Sequence, residues 1–254
     1  MKETETEEFY IGYQPRLPAR LKRRMRWVVG ALSSLVLISA LVAAAGFQRL
    51  PEAYFEFGRE REFTGTIIEN PYPALITPAP GVGEQNGALM NYLLSGRGKH
   101  AAVVSGFIGR SVKLRGTLVH RSEGAMIEVS PDSIELTGSA SAGIDQPESL
   151  GRFTLKGEIV DSKCYLGVMN PGRAKVHRDC AVRCISGGIP PLFAARDSAG
   201  NEIALLLTSS GGEAVNQAVL DMVGEPVEIT GNVFQQTGRL FLRADPQTYK
   251  RLNR

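Results

Sequence analysis

The sequence predicts a mainly β protein, with a single N-terminal transmembrane helix followed by two tandem OB-like five-stranded barrels. The first observation is that residues 27–47 carry no charged side chain. At a rise of 1.5 Å per residue, about 20 residues cross a bilayer core of about 30 Å. The second observation is an internal repeat, whose segments recur in the same order: 63–69, 92–104 and 107–127 as 155–161, 205–219 and 222–241.

Basic residues give the apolar segment its predicted orientation. They crowd its N-terminal flank: Arg16, Arg20, Lys22, Arg23, Arg24 and Arg26. The other flank is poorer, with Arg49, Arg59 and Arg61 at similar distance. The positive-inside rule therefore predicts a bacterial inner-membrane protein with a cytoplasmic tail, 1–26, a transmembrane helix, 27–47, and a periplasmic part, 48–254. The alternative is a cleaved signal peptide with its site at Ala43–Ala45, which exports the same C-terminal part.

Glycines and alternating strands predict the architecture of each repeat. The glycines match as Gly109 with Gly224, Gly116 with Gly231, and Gly124 with Gly238 after one residue is dropped. "SVKLRGTLV" and "PVEITGNVF" alternate apolar and polar residues, as half-buried strands do, and their internal glycines indicate bends. "HAAVVSGFIG" and "AVNQAVLDMVG" predict short helices that end at glycine. We expect barrels at 54–140 and 151–248 joined by a linker, 141–150; the rival architecture is two halves of a sandwich.

The second repeat contains an insertion, residues 161–191. Gly65 to Tyr92 spans 27 steps in the first repeat, whereas the corresponding Gly157 to Leu205 spans 48. The extra length holds all three cysteines of the chain and one of its three histidines. Loops on a rigid scaffold commonly carry function, so the insertion is the candidate site.

The predicted helix of the insertion places its Cys and His side chains together. His177, Cys180 and Cys184 stand at i, i+3 and i+7, which is one face of an α-helix. Cys164 follows the strand "GEIVD" and can fold back onto that face. These four residues are the candidate ligands.

"GEIVDSKCYLG" and "HRDCAVRCISGGIPP" resemble a family of exported bacterial domains of uncharacterised role. Its pattern reads V-D-x-x-C-Y, then H-x-x-C-A-x-x-C, then G-[IL]-P, and the match covers about residues 155–245. The resemblance implies that the family's Cys and His positions are Cys164, His177, Cys180 and Cys184. It implies no activity.

Three chemistries suit these four residues. An oxidising compartment favours a structural disulfide, which would join Cys164 to Cys180 or Cys184. Three thiolates and an imidazole instead complete a tetrahedral zinc site, and soft thiolates also suit copper(I). Thiol–disulfide redox chemistry is the third, although no C-x-x-C stands in the chain. A c-type haem needs C-x-x-C-H, which is also absent.

The rest of the sequence narrows the class of protein. A net charge of +3 does not indicate a nucleic-acid partner, and "GVGEQNG" lacks the G-K-[ST] of a phosphate loop. No complete catalytic constellation is visible, so we expect no enzyme. The sequence predicts a membrane-anchored periplasmic accessory or docking subunit with a protein partner, in a redox or metal-handling complex. The alternatives are a protein that binds a metal or redox cofactor at a Cys3His site, and a thiol–disulfide redox protein.

Overall fold

The computed structural model describes residues 17–48, 52–78, 89–138 and 144–252. Its first element is a helix, α1 (Ala19–Phe47), with no buried residue. This helix is long and apolar enough to cross a membrane, and its most apolar 18-residue window has a mean hydropathy of 2.4. Its first two turns hold the basic residues from Arg20 to Arg26. The helix fits a membrane anchor or a signal sequence.

The first barrel is built from β1 (Ala53–Ile68), β2 (Ala74–Pro78), β3 (Leu89–Ser95), β4 (Ser111–Arg121) and β5 (Gly124–Val129). The strands lie in the order β1-β2-β3-β5-β4, and β4 pairs with β1 to close the sheet. The β3–β5 pair is parallel and the other pairs of the barrel are antiparallel. A short strand, β6 (Glu135–Leu136), extends the sheet beside β4.

The second barrel repeats this topology. It contains β7 (Glu148–Asp161), β8 (Pro191–Arg196), β9 (Glu202–Thr208), β10 (Pro226–Gln236) and β11 (Arg239–Arg243), with β12 (Lys250–Arg251) beside β10. The order is β7-β8-β9-β11-β10, closed by the β7–β10 pair, and β9–β11 is again parallel. The prediction of two closed five-stranded barrels is therefore confirmed, and the two-halved sandwich is wrong because each sheet closes on itself.

The strand registers show which residues of the two repeats are equivalent. Gly65 pairs with Val112, as Gly157 pairs with Val227. Gly109 and Gly224 share a φ of 71°, and each donates its N–H to an isoleucine carbonyl, of Ile67 or Ile159. A β-carbon on Gly65 or Gly157 would lie 2.3 Å from a backbone oxygen of the neighbouring strand. The glycines thus let neighbouring strands approach closely at the same place in both barrels.

Two details of the predicted repeat are wrong. Both hairpins have two-residue turns, because Arg121 pairs with Gly124 and Gln236 with Arg239. Gly124 is therefore equivalent to Arg239, and no residue is dropped. The predicted helix in "HAAVVSGFIG" is absent: residues 102–110 form an irregular segment with turns, since two glycines and two valines there disfavour a helix. The equivalent segment of the second repeat holds only a 3-10 helix, Gln217–Met222.

Each barrel has its own apolar interior, and a third cluster joins the two. Alternate residues point inwards, such as Leu75, Leu94 and Ile127 in the first barrel, and their equivalents Phe193, Leu207 and Leu242 in the second. The neighbouring residues point outwards and meet in one shared cluster: Ala74, Leu93 and Met126 with Leu192, Leu206 and Phe241. The same outer face of each barrel packs against the other barrel, and residues 51–254 form one compact unit.

Candidate metal centre in the insertion of the second barrel

The insertion connects β7 to β8, the first two strands of the second barrel. This connection is one of the two loops with which OB barrels commonly bind ligands. It begins with a π-helical turn, Cys164–Val168, and continues through a 3-10 turn, Lys175–His177, into α2 (Arg178–Ser186). Gly187 and Gly188 end α2, the latter with a φ of 95°, and Pro190 and Pro191 lead into β8.

The carboxylate of Asp161 holds both Cys164 and His177 in place. Asp161 is the last residue of β7 and is fully buried. Its Oδ1 accepts the backbone N–H of Cys164 at 2.8 Å, and its Oδ2 lies 3.2 Å from Nε2 of the buried His177. A carboxylate only accepts, so Nε2 of His177 carries the proton. One carboxylate therefore fixes the position of Cys164 and the orientation of the His177 ring.

Three sulfur atoms converge beside this pair. The Sγ atoms of Cys164, Cys180 and Cys184, which we call the sulfur triad, lie within 4.8 Å of one another. All three cysteines are free thiols; Cys164 and Cys184 are buried, while Cys180 is half-buried. Cys164 also belongs to a second group, in which its sulfur, an Asp161 oxygen and a His177 nitrogen lie within 4.8 Å of one another. Together these five residues form a cluster that could hold a metal ion, compatible with zinc or copper.

The hydrogen bond between the two buried thiols shifts their pKa values in opposite directions. Cys164 donates its S–H to Cys184, and this hydrogen bond raises the pKa of Cys164, as do burial and the nearby Asp161. The same hydrogen bond lowers the pKa of Cys184. Cys184 is therefore the buried thiol that ionises first, and any ion that binds all three sulfurs must displace the proton of Cys164.

The first barrel contributes a cation to the sulfur triad. Nζ of Lys99 lies 2.8 Å from Sγ of Cys180 and 3.5 Å from the carbonyl oxygen of the same residue. The hydrogen bond to Cys180 raises the pKa of Lys99, so the ammonium stays charged beside the sulfurs. The first barrel thus places a positive charge in direct contact with one sulfur of the triad.

The loop that carries Lys99 is fastened to the insertion. Lys163 donates to the carbonyl oxygens of Gly96 and Gly98 at 2.8 and 2.7 Å, and forms an ion pair with Glu128. The N–H of Ala101 donates to the carbonyl of Gly187 at 3.0 Å. The site is thus assembled by both barrels.

The structure brings together the four residues that the sequence singled out, around two centres. Cys180 and Cys184 lie on α2 as expected, whereas His177 belongs to the preceding 3-10 turn and faces Asp161. Asp161 and Lys99 are not among the residues that the sequence singled out. The motif V-D-x-x-C could have assigned Asp161, because it places a carboxylate three residues before a cysteine. Nothing comparable identifies Lys99, which is 81 residues from Cys180.

The chemistry of this arrangement is that of a soft-ligand site. Three sulfurs of one kind meet in a largely buried place, with a carboxylate, an imidazole and an ammonium around them. Such a site can bind a thiophilic ion, or it can interconvert a dithiol and a disulfide. No protein-family model matches this chain, and no curated protein matches it either.

Proposed function

We propose that this protein is a membrane-anchored metal-binding protein that holds one thiophilic ion on Cys164, Cys180 and Cys184. The observation that carries the proposal is the mutual approach of three free sulfurs to within 4.8 Å. Bonds from zinc to sulfur are about 2.3 Å long, so sulfurs around one ion lie roughly 4 Å apart. The sulfur triad needs little rearrangement to reach that geometry.

The surrounding residues support a three-thiolate site with an adjacent fourth group. Thiolates select copper(I) and zinc among the common ions. His177 would bind the ion only through Nδ1, since its Nε2 is hydrogen-bonded to Asp161. A carboxylate behind a ligating histidine is the usual support for such a ligand. Lys99 offsets part of the negative charge that three thiolates bring into a largely buried site.

A second candidate function is thiol–disulfide exchange at the same sulfurs, and the contact between Lys99 and Cys180 favours it. Cys180 is the most exposed of the three sulfurs and the one beside an ammonium. As a thiolate it would attack a disulfide of a partner protein and form a mixed disulfide. Cys184 would then displace the partner's thiolate, leaving a Cys180–Cys184 disulfide; two electrons and two protons pass to the partner.

The metal content and the thiol count decide between these functions. The full chain is purified in lipid nanodiscs under anaerobic conditions, and its metals are measured by mass spectrometry. We expect about one zinc or copper ion per chain, and three titratable thiols after chelation and unfolding. A chain with no ion and a bridge from Cys164 to Cys180 or Cys184 would instead support a structural disulfide. Reversible formation of a Cys180–Cys184 disulfide would support the redox function.

The membrane helix supports a role as an accessory or docking subunit of a redox or metal-handling complex. We propose that the chain is anchored in a bacterial inner membrane, with a protein partner, and is akin to the uncharacterised exported family that its V-D-x-x-C-Y pattern resembles. The basic residues at the start of α1 support a cytoplasmic N-terminus.

The orientation has a direct test. A reporter enzyme that is active only in the periplasm, fused after Arg254, is expected to be active, because the cytoplasmic flank should be the basic one. A reporter that is active only in the cytoplasm, fused at the same place, should be silent. The reverse pattern would contradict the orientation, and release of the product into the soluble fraction would indicate a cleaved signal peptide.

A further inference from the structure

A cavity of about 380 Å³ lies between the barrels, apart from the sulfur triad. It is bounded by the end of β1 and the connection from β1 to β2, and by β9 and the β10–β11 hairpin of the second barrel. Its walls are mostly apolar: Ile67, Ile68, Leu93, Ile108, Leu206 and Phe241. Pockets for small molecules have about this volume and often lie where two domains meet.

The repeat explains why the cavity is there. Its floor is the connection that follows β1, residues 69–73, and the equivalent connection of the second barrel is the insertion. The insertion fills its side of the interface, because Tyr165 and Leu166 pack into the shared cluster with Leu93 and Met126. The short connection of the first barrel leaves the equivalent space open. Glu69, the equivalent of Asp161, stands at its edge.

Two buried polar side chains line this space without a partner for their oxygens. Asn91 is 7% exposed and its Oδ1 accepts no hydrogen bond; Thr237 is 3% exposed and its Oγ1 has no partner among the described residues. Asn91 shares the outward face of β3 with Leu93, and its equivalent in the second barrel is Ala204, a small apolar residue. A buried polar atom without a hydrogen-bond partner lowers the stability of the fold by about 1–3 kcal/mol. An asparagine in the first barrel, where the second barrel has an apolar residue, therefore needs a reason.

The charges around the cavity favour a neutral ligand. Among the described residues that line it there is one carboxylate, the exposed Glu69, and no basic residue. Behind Asn91 lies the opposite charge: the buried guanidinium of Arg239 donates to the backbone oxygen of Asn91 at 2.9 Å. A charged molecule would lose hydration in this mostly apolar space without a buried counter-ion on its lining, so a neutral molecule is favoured. A hydroxyl group suits Asn91 and Thr237, since an amide and a hydroxyl can each donate and accept.

We propose that this cavity binds a neutral, largely apolar small molecule through one hydroxyl group, which hydrogen-bonds to Asn91 and Thr237. The apolar body of the molecule packs between Ile68, Leu206 and Phe241. The proposal is independent of the metal centre, because the two sites share none of their lining residues.

The probe is 4-phenylbutan-1-ol, added to the full chain in lipid nanodiscs with 13C-labelled isoleucine δ1 methyl groups. We expect saturable shifts at the cavity methyls of Ile68, Ile108 and Ile144, and none at Ile185 or Ile229 in the interior of the second barrel. 4-phenylbutylammonium and 4-phenylbutanoate have the same apolar body and control for charge. Both should bind at least about tenfold more weakly, which corresponds to about 1.4 kcal/mol.

The matched variant is Asn91→Leu, which removes the unpartnered oxygen and keeps the branched shape of the side chain. It should fold with an unchanged or higher Tm and weaken the alcohol about three- to tenfold, the effect of losing one hydrogen bond. Thr237→Ala serves as a second variant with the same expected direction. Three results would overturn the proposal. They are an affinity of both variants for the alcohol equal to that of the parent chain, a charged comparator that binds as tightly as the alcohol or more tightly, and no shift at the cavity methyls. The last result would mean that solvent alone fills the space.

Discussion

Replacing Cys184 with serine is expected to reduce metal affinity by more than about 100-fold. Changes to residues that only support a ligand typically cost about 10–100-fold, and Cys184 is a ligand in the proposed site as well as the hydrogen-bond partner of Cys164. Asp161→Asn should fall within that range of 10–100-fold, because it weakens the hold on both Cys164 and His177. Ser186→Ala on the exposed side of α2 is the matched control and should bind normally.

Cobalt(II) competition is a suitable measurement, since thiolate-to-cobalt absorption reports the number of sulfur ligands and zinc displaces the cobalt. An affinity for Cys184→Ser within about threefold of the parent chain would contradict a three-thiolate site. In that case Asp161, Cys164 and His177 would be the remaining group that could hold the ion.

The affinity should also depend on pH in a fixed direction. The pKa of Cys164 is raised by its hydrogen bond to Cys184 and by burial, so this thiol is protonated near neutral pH. Each ion that binds Cys164 releases that proton, and the affinity therefore rises as the pH rises towards the pKa of Cys164. The expected slope is about tenfold per pH unit for each proton released. Calorimetry in buffers of different ionisation enthalpy counts those protons.

The second large effect is expected from Tyr165→Ala, which should lower the free energy of unfolding by about 3–5 kcal/mol. The Tyr165 ring is fully buried in the cluster between the barrels, and the guanidinium of Arg121 lies over it at 4.2 Å. Removing the ring opens a cavity and leaves the buried guanidinium without its aromatic neighbour. Urea unfolding followed by near-ultraviolet circular dichroism measures the loss.

A phenylalanine substitution separates the effect of the Tyr165 ring from that of its hydroxyl group, and the same substitution at Tyr72 serves as a comparison. Tyr165→Phe should leave stability unchanged or raise it, by up to about 1–3 kcal/mol, because the buried hydroxyl of Tyr165 has no hydrogen-bond partner among the described residues. Tyr72→Phe should cost about 1–3 kcal/mol, because the hydroxyl of Tyr72 donates to Leu207 and accepts from the N–H of Val215. If Tyr165→Ala were as mild as Tyr165→Phe, the insertion would contribute little to the joining of the barrels.

The fold was predictable because its signals are local. Alternation of apolar and polar residues, and glycines that let strands approach, recur in both repeats, so each repeat supports the interpretation of the other. The insertion was visible as a difference in length, and its helix by composition. The packing of the barrels was not predictable, since outward residues such as Leu93 and Leu206 resemble inward ones when both are apolar.

The candidate site was predictable only in part, for a related reason. Cys164, His177, Cys180 and Cys184 are close in sequence. Helical spacing brings Cys180 and Cys184 to one face of α2, whereas His177 lies in the preceding 3-10 turn and faces Asp161. Lys99 reaches Cys180 from the other barrel, and only the register of whole strands places it there. Arg239 is a similar case: it fills space that the equivalent residue, Gly124, leaves free, with a guanidinium nitrogen 3.3 Å from where a β-carbon of Gly124 would lie.

The shared cluster has a consequence for synthesis of the chain. The outer face of the first barrel is complete once β5, which contains Met126, has been made. The residues of the second barrel that bury this face extend to Phe241. At about 5–20 residues per second, these later residues are finished roughly 6–23 seconds afterwards. During this interval the apolar surface of Ala74, Leu93 and Met126 is only partly covered, first by Tyr165 and Leu166 of the insertion. The nascent first barrel therefore exposes an aggregation-prone surface until the last strands of the second barrel have been made.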